Sequence, residues 1–208
     1  MKLYTFYTDT HEIFLKDFFI PSLKKGEYDL VIEKFNQDCH NGKYMTKGWN
    51  NTMRKKVQYI IRSIEECWGN VFIHSDCDVQ FFKPSKQYFI SEIKNYDIVL
   101  QDDVVCYCAG FFVCRANGKT LRLFNSVLDN LSQYDNDQDA LNNYINSFEI
   151  KHKKFDNRVY TIAMAMGGRW YGEEVEIPKD IIIHHANWTT GIDNKIKLLE
   201  YVRNKVVK

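Results

Sequence analysis

Residues Val71 to Pro84, VFIHSDCDVQFFKP, constrain the fold more than any other stretch. A short apolar run bounded by polar residues is the pattern of a buried strand. This one delivers Asp76 and Asp78 to its carboxyl end, and a second apolar run follows before Pro84 interrupts it. In an extended segment residues two apart point to the same face, so the two carboxylates can converge on one cation while Cys77 points away. A divalent ion held by one or two carboxylates keeps coordination positions open for phosphate oxygens. A solvated turn after a strand is the competing reading, and Asp-x-Asp alone does not separate the two.

The chain has 208 residues and no Pro-, Gly- or Ser-rich break. That predicts one domain over residues 1–208, burying roughly two-thirds of its unfolded surface. Hydrophobic residues at 45% and aromatics at 15% place it among globular proteins. With 28 basic and 27 acidic residues the net charge is +1, which argues against a general nucleic-acid or anionic-membrane surface. The basic cluster Lys151, Lys153, Lys154 accordingly reads as a solvated loop face. The amino terminus lacks an apolar core of signal-peptide length and no run approaches a membrane span, so the expectation is a cytoplasmic protein. Its six cysteines form no C-x-x-C pair and read as reduced, small hydrophobes.

Along the chain, Lys2 to Thr8 alternates as a first strand. Thr8 and Asp9 then fall beyond a strand's carboxyl end, where doubly wound sheets bind ligands, and fit either a base or ribose contact or a simple turn and helix cap. Ile13 to Leu23 reads as a helix and Tyr28 to Phe35 as a strand. Asn36 to Asn51 is a long polar loop of the functional or mobile kind, in which Cys39-His40 has no second pair at metal-ligand spacing. Thr52 to Trp68 is an amphipathic helix with Met53, Val57, Ile60, Ile61, Ile64 and Trp68 on one face. Lys56 lies at the edge of that face. It can reach inward to a phosphate or snorkel at the surface.

Asp97 to Cys106 reads as a buried strand with Asp102 and Asp103 in its second half, and Cys108 to Asn117 as another, where Gly110 permits close approach of a ligand to the backbone. Gly118 to Leu131 is a core-facing helix. Asp135 to Asn146 has aspartates at the first three calcium-loop positions, but Ala140 replaces the required glycine and Asn146 the final glutamate. It reads instead as a helix start capped by Asn136 or Asp137, with Gln138 and Asp139 placed to meet a substrate. Val159 to Ala165 reads as a strand. Asp180 to Lys195 reads as a buried strand running into polar residues, with His184 and His185 on opposite faces, so that only one of them joins a given site. Ile196 to Val207 completes the chain as a helix.

Asp76-Cys77-Asp78 after a strand, Cys108-Ala109-Gly110-Phe111, Asp137-Gln138-Asp139-Ala140-Leu141-Asn142 and His185-Ala186-Asn187-Trp188 with Gly191 and Lys195 occur in that order. The ordered set resembles the GT-A nucleotide-diphospho-sugar transferases, most nearly the group around glycosyltransferase family 77, with weaker similarity to family 8. The resemblance spans Lys2 to about Lys195. It implies an α/β, Rossmann-like GT-A fold with a mixed, mostly parallel central sheet flanked by helices. It further implies that Asp76, Asp78 and His185 hold Mn2+ or Mg2+ across the diphosphate of a nucleoside-diphosphate sugar, most simply a UDP-sugar. Lys195 and Lys56 would neutralise that diphosphate, Gln138 and Asp139 would lie by the donor sugar and reacting carbon, and Gly110 beneath the sugar. Thr8 and Gly191 complete the implied donor contacts. Family 8 places Pro-Trp after the lysine, whereas Ile196 follows Lys195 here.

Such a protein moves a sugar to a glycan or other hydroxyl acceptor. Retention of configuration, which the resemblance implies, needs no strong base on the acceptor side. Inversion would assign the acceptor proton to Asp139, Asp102 or Asp103. The metal and Lys195 would stabilise the departing diphosphate, and a closed loop around Trp49 would exclude water. Two other classes share the paired carboxylates or aromatics. A nucleotidyltransferase would release pyrophosphate from a nucleoside triphosphate, and a noncatalytic saccharide-binding module would ignore both metal and nucleotide.

Overall fold

The apolar runs read from the sequence become strands of two sheets in the computed structural model, which describes residues 1–40, 42 and 44–207. In chain order the strands are β1 (Lys2–Tyr7), β2 (Asp29–Lys34), β3 (Val71–Asp76), β4 (Val79–Phe81), β5 (Ile98–Asp102), β6 (Tyr107–Arg115), β7 (His152–Lys154), β8 (Val159–Thr161) and β9 (Ile183–His185). A helical segment over residues 9–22 contains α1 (Glu12–Phe14), a π-helical stretch (Leu15–Phe19) and α2 (Ile20–Ser22). Then come α3 (Trp49–Glu66), α4 (Lys86–Ile93), α5 (Gly118–Asn130), α6 (Asp137–Tyr144), α7 (Ala163–Met166) and α8 (Ile192–Val206). Two members of the polar loop before α3, Asn41 and Lys43, lie outside the described residues. Among the described residues no helix is long and apolar enough to cross a membrane.

The larger sheet has six strands in the order β2-β1-β3-β6-β5-β7. β1 pairs in parallel with both β2 and β3, and β5 with β7, while β6 runs antiparallel to β3 and β5. The sheet is therefore mixed and mostly parallel, as expected. Its central strands are buried on both faces, which is why they read as continuous apolar runs rather than alternating ones. Phe72, Ile98, Leu100, Phe112 and Cys114 face a core built with α3, α5 and α6. Ile73, Val99, Phe111 and Val113 face the opposite core, built with Phe14, Phe18 and Phe19 of the 9–22 segment, Phe89 of α4, and Leu198, Leu199 and Val202 of α8. The smaller sheet, β4-β9-β8, belongs to this second core; β4 pairs antiparallel with β9, and β8 parallel to it.

Two expectations change. The strand expected over Val159 to Ala165 stops at Thr161, because Ala163–Met166 are strong helix formers and turn into α7. The basic cluster expected as a loop contains the edge strand β7. Lys153 there meets Glu92 at 2.6 Å and Lys154 meets Asp102 at 2.6 Å. Lysines on an edge strand oppose further strand addition.

The antiparallel β6 threads between β3 and β5, so its beginning lies at the same sheet edge as the carboxyl ends of β1, β3 and β5. At the far edge, the turn from β6 into α5 is closed by a capping box. Asn117 Oδ1 accepts from the backbone N–H groups of Lys119 at 2.9 Å and Thr120 at 3.0 Å, and Thr120 Oγ1 accepts from the Asn117 N–H at 3.2 Å. The Asn117 amide also donates to Asp97 at 2.8 Å. Asn117→Ala is expected to cost about 1–2 kcal/mol. Thermal unfolding should show a midpoint lower by roughly 2–8 °C, and an unchanged midpoint would contradict this account of the turn.

Candidate active site

The edge where those strand ends meet opens into a cleft of about 360 Å³. Asp76 is the last residue of β3, and Cys77 and Asp78 form the turn into β4. The two carboxylates therefore converge through a turn, not through the extended alternation expected from the sequence. Cys77 between them is buried, with its thiol 3.8 Å from the His11 carbonyl. The register of the small sheet, Val79 opposite His185, together with the Ala186 N–H donating to the Asp78 carbonyl at 3.0 Å, brings the end of β9 to the same point. Ligand atoms of Asp76, Asp78 and His185 all lie within 4.8 Å of one another.

Two lysines counter these carboxylates. Lys56, on the inward face of α3, is 3% exposed. Its ammonium sits 3.0 Å from Asp76 Oδ1 and 3.1 Å from Asp137 Oδ2. Burial acts to lower the Lys56 pKa, but Asp137 and Asp76 outweigh it and hold the group charged. Lys195, one turn into α8, forms a very short ion pair with Asp78 Oδ2. Burial would raise the carboxyl pKa values; Lys56 instead pulls Asp76 down, and Lys195 with His185 pulls Asp78 well below the usual range. Both aspartates are thus ionised and ready as ligands.

His185 Nδ1 is 2.8 Å from Gln101 Oε1, and its Nε2 is 3.2 Å from Asp78 Oδ1. An amide oxygen only accepts, so Nδ1 carries a proton and Nε2 is the atom aimed at the carboxylates. Burial lowers the His185 pKa, yet Asp78 raises it to about 10. His184, on the opposite face beside Tyr160, is held down at about 3 by burial. Gly110 lies against this cluster: a Cβ there would come within 2.4 Å of His185 Cε1 and 2.7 Å of Asp76 Oδ2. A donor set of two carboxylates and one imidazole, with no side chain on Gly110 to crowd it, fits a divalent cation.

The other expected residues are placed as follows. Thr8, at the end of β1, is buried in the cleft wall with its hydroxyl 3.2 Å from His11 Nδ1. Gly191 lines the cleft at the start of α8 with φ +86°, a conformation that favours glycine. Gln138 lines it from the first turn of α6. Asp139 does not join them. It is exposed, and its carboxylate is turned back to the cap residue Asn136 at 2.7 Å. The acidic residue that α6 does bring in is the buried Asp137, through Lys56.

Several cleft groups carried little or no sequence signal. Gln101, buried within β5, supports His185 from a position 84 residues away. His74 is stacked between Phe6 and Phe112, with Nε2 3.7 Å from Asp76 Oδ1. Its place two residues before Asp76 on one strand was the available clue. His11 lines the cleft, and burial lowers its pKa to about 4, leaving a neutral ring. Asp103 sits in the β5–β6 turn beside Val104, whose φ of +68° is strained for a β-branched residue. Tyr44, Trp49 and Arg169 line the mouth of the cleft, Tyr44 and Trp49 with ring centroids 4.9 Å apart.

The family model for nucleotide-diphospho-sugar transferases matches residues 21–199. No curated protein sequence matches the chain. Among solved structures, the chain is similar to a glycosyltransferase involved in glycosylation of the major capsid of PBCV-1, at TM-score 0.65 and 11% identity, covering 97% of this chain and 100% of that one. It is also similar to the glycosyltransferase GlyE of Streptococcus pneumoniae, at TM-score 0.59 and 12% identity over 98% of this chain and 62% of that one. A third, the galactosyltransferase LgtC solved with donor and acceptor sugar analogues, matches at TM-score 0.55 and 13% identity over 97% of this chain and 96% of that one. At these identities the likenesses establish a shared GT-A fold. With the family model spanning most of its length, the chain belongs to the nucleotide-diphospho-sugar transferases.

Proposed function

We propose that the protein transfers a sugar from a nucleoside-diphosphate sugar to a hydroxyl of a glycan or similar acceptor, with retention of configuration and with Mn2+ or Mg2+ bound. The observation that carries this reading is the convergence of Asp76, Asp78 and His185 with Lys56 and Lys195 at one end of the cleft. Asp76, Asp78 and His185 would hold the cation, which when bound supplies positive charge to the donor diphosphate. Lys195 and the amino terminus of α8 at Gly191 and Ile192 face the same region and would take up charge that develops on the departing diphosphate. Lys56 holds Asp76 ionised and pairs with Asp137, fixing both side chains in place.

The wall around Thr8, the neutral His11, Gln37, Tyr44 and Trp49 offers hydroxyl, amide and aromatic groups suited to a nucleoside, and a UDP-sugar is the donor we favour. Gly110 and Gln138 lie where the donor sugar would sit next to the diphosphate. In the transfer, the bond from the anomeric carbon to the phosphate oxygen breaks with its electron pair going to the diphosphate. The acceptor oxygen bonds the carbon from the same face, and its proton passes to the departing phosphate oxygen. That route needs no enzymic base. It accords with Asp103, whose carboxylate is already occupied by three N–H donors, and with the outward-facing Asp139.

A panel of nucleotide sugars, tested by calorimetry with and without Mn2+ and for slow release of nucleoside diphosphate, is expected to show metal-dependent binding and hydrolysis of one donor. Pyrophosphate release from a nucleoside triphosphate, or saccharide binding indifferent to metal and nucleotide, would overturn the assignment. Asp78→Ala should weaken metal-dependent nucleoside-diphosphate binding on the order of a hundredfold or more, since even loss of an outer partner of a metal ligand costs about 10–100-fold. Circular dichroism should show the fold intact, and undiminished affinity would sink the metal assignment. Gly110→Ala should displace His185 and Asp76 and abolish the same binding; calorimetric affinity equal to that of the parent protein would refute the close approach.

A further inference from the structure

Asp103 is 5% exposed and, among the described residues, has no ion-pair partner. Its carboxylate is met by three side-chain N–H groups from the cleft wall and, at 3.9 Å from Oδ2, by the Cys106 thiol. Oδ1 accepts from Asn187 Nδ2 at 2.7 Å and from Trp188 Nε1 at 2.6 Å, and Oδ2 accepts from Gln138 Nε2 at 2.8 Å. These donors come from the segment after β9 and from the start of α6, so one carboxylate ties three parts of the cleft together. The turn that presents it is closed by Asp103 N–H to the Cys106 carbonyl at 3.0 Å and Val105 N–H to the Asp103 carbonyl at 2.8 Å, with Val104 in the left-handed region.

The Gln138 amide has its other end fixed by a group of unambiguous polarity. Gln138 Oε1 accepts from the backbone N–H of Ala109 at 3.2 Å, which can only donate. Its Nε2 faces the Asp103 carboxylate, which can only accept. Asn187 is oriented by the carboxylate itself, and its Oδ1 accepts from the Thr161 hydroxyl at 2.6 Å. Reversing the Gln138 amide would set its N–H group against the Ala109 N–H and its oxygen against a carboxylate, leaving buried groups in conflict.

We propose that Asp103 is a positioning residue: by holding Gln138 Nε2 it fixes the carboxamide so that an oxygen, not an N–H group, is presented to the donor sugar. This inference rests on the transferase reading for its chemical consequence. Sugar transfer develops positive charge at the anomeric carbon, and an amide oxygen is the pole that stabilises it, whereas an amide N–H is the pole that opposes it. Trp188 and Asn187, held by the same carboxylate, set the cleft wall beside it. Asp103 touches no substrate in this account and acts through Gln138.

The test uses Asp103→Asn and the double variant Asp103→Asn/Gln138→Glu. Asparagine at 103 places an N–H group against Gln138 Nε2. Glutamate at 138 then restores the match, accepting from both the new amide and the Ala109 N–H while the pair keeps one negative charge. In chemical denaturation Asp103→Asn should lower the midpoint and the double variant should recover most of the loss; no recovery would overturn the Asp103–Gln138 coupling. This readout needs no substrate, so it stands whether or not the transferase reading does. In donor hydrolysis Asp103→Asn should lower kcat by about a hundredfold, the scale of a misplaced reacting group. Its metal-dependent affinity for nucleoside diphosphate should stay within about threefold, because the side chains expected to hold the metal and diphosphate make no contact with Asp103. An unchanged kcat, or a loss confined to nucleotide affinity, would overturn the positioning role.

Discussion

The half-buried Asp76 at the end of β3 and the buried Asp78 in the turn after it need positive partners, and much of the fold around the cleft is arranged to provide them. Leaving a buried charge unpaired costs about 3–5 kcal/mol, a large fraction of the stability of an ordinary domain. Lys56 answers Asp76 from α3 and at the same time holds Asp137 at the start of α6. Lys195 answers Asp78 from α8, and His185 does so from β9. The pairs thereby fasten both helical layers and the small sheet to one strand end. A single acidic turn fixes the position of elements that are far apart in sequence.

The same arrangement explains how the three candidate cation ligands are held together in one cluster. The carboxylates are held ionised by their neighbours, Asp76 by Lys56 and Asp78 by Lys195 with His185. Gln101 fixes the His185 ring from behind, and Gly110 leaves the space in front of it open. Asp103 plays a parallel part on the neighbouring wall with neutral donors in place of cations. The cleft thus has a charged floor and a neutral, hydrogen-bonded side, a division that suits a diphosphate next to an uncharged sugar.

Much of this was legible in the sequence where one residue pattern carried one physical meaning. Val71 to Asp76 read as a strand because its apolar run is short and bounded, and Lys56, at the edge of an apolar helical face, read as a cation that either reaches inward or snorkels, a choice the structure makes by burying it against Asp76 and Asp137. The choice of His185 over His184 needed the family pattern, since alternation only separates them. Asp137 read as a cap candidate; the structure gives the cap to Asn136 and spends Asp137 on Lys56, an exchange that turns on tertiary contact. Gln101 and Asp103 gave no local sign of their partners, because a polar residue at the end of a buried strand does not reveal what approaches from 84 residues away. Asp139 drew attention by its place in a motif, yet the helix turns it to solvent.

In the proposed transferase, Asp76, Asp78 and His185 would hold a divalent cation against the diphosphate of a nucleotide sugar. Anomalous diffraction at the manganese edge, from crystals soaked with Mn2+ and a non-transferable nucleotide sugar, tests it most directly. One anomalous peak is expected among those three side chains, beside the diphosphate of the bound nucleotide. A nucleotide bound in the cleft with no manganese between these residues, or a peak that lies elsewhere, would contradict it.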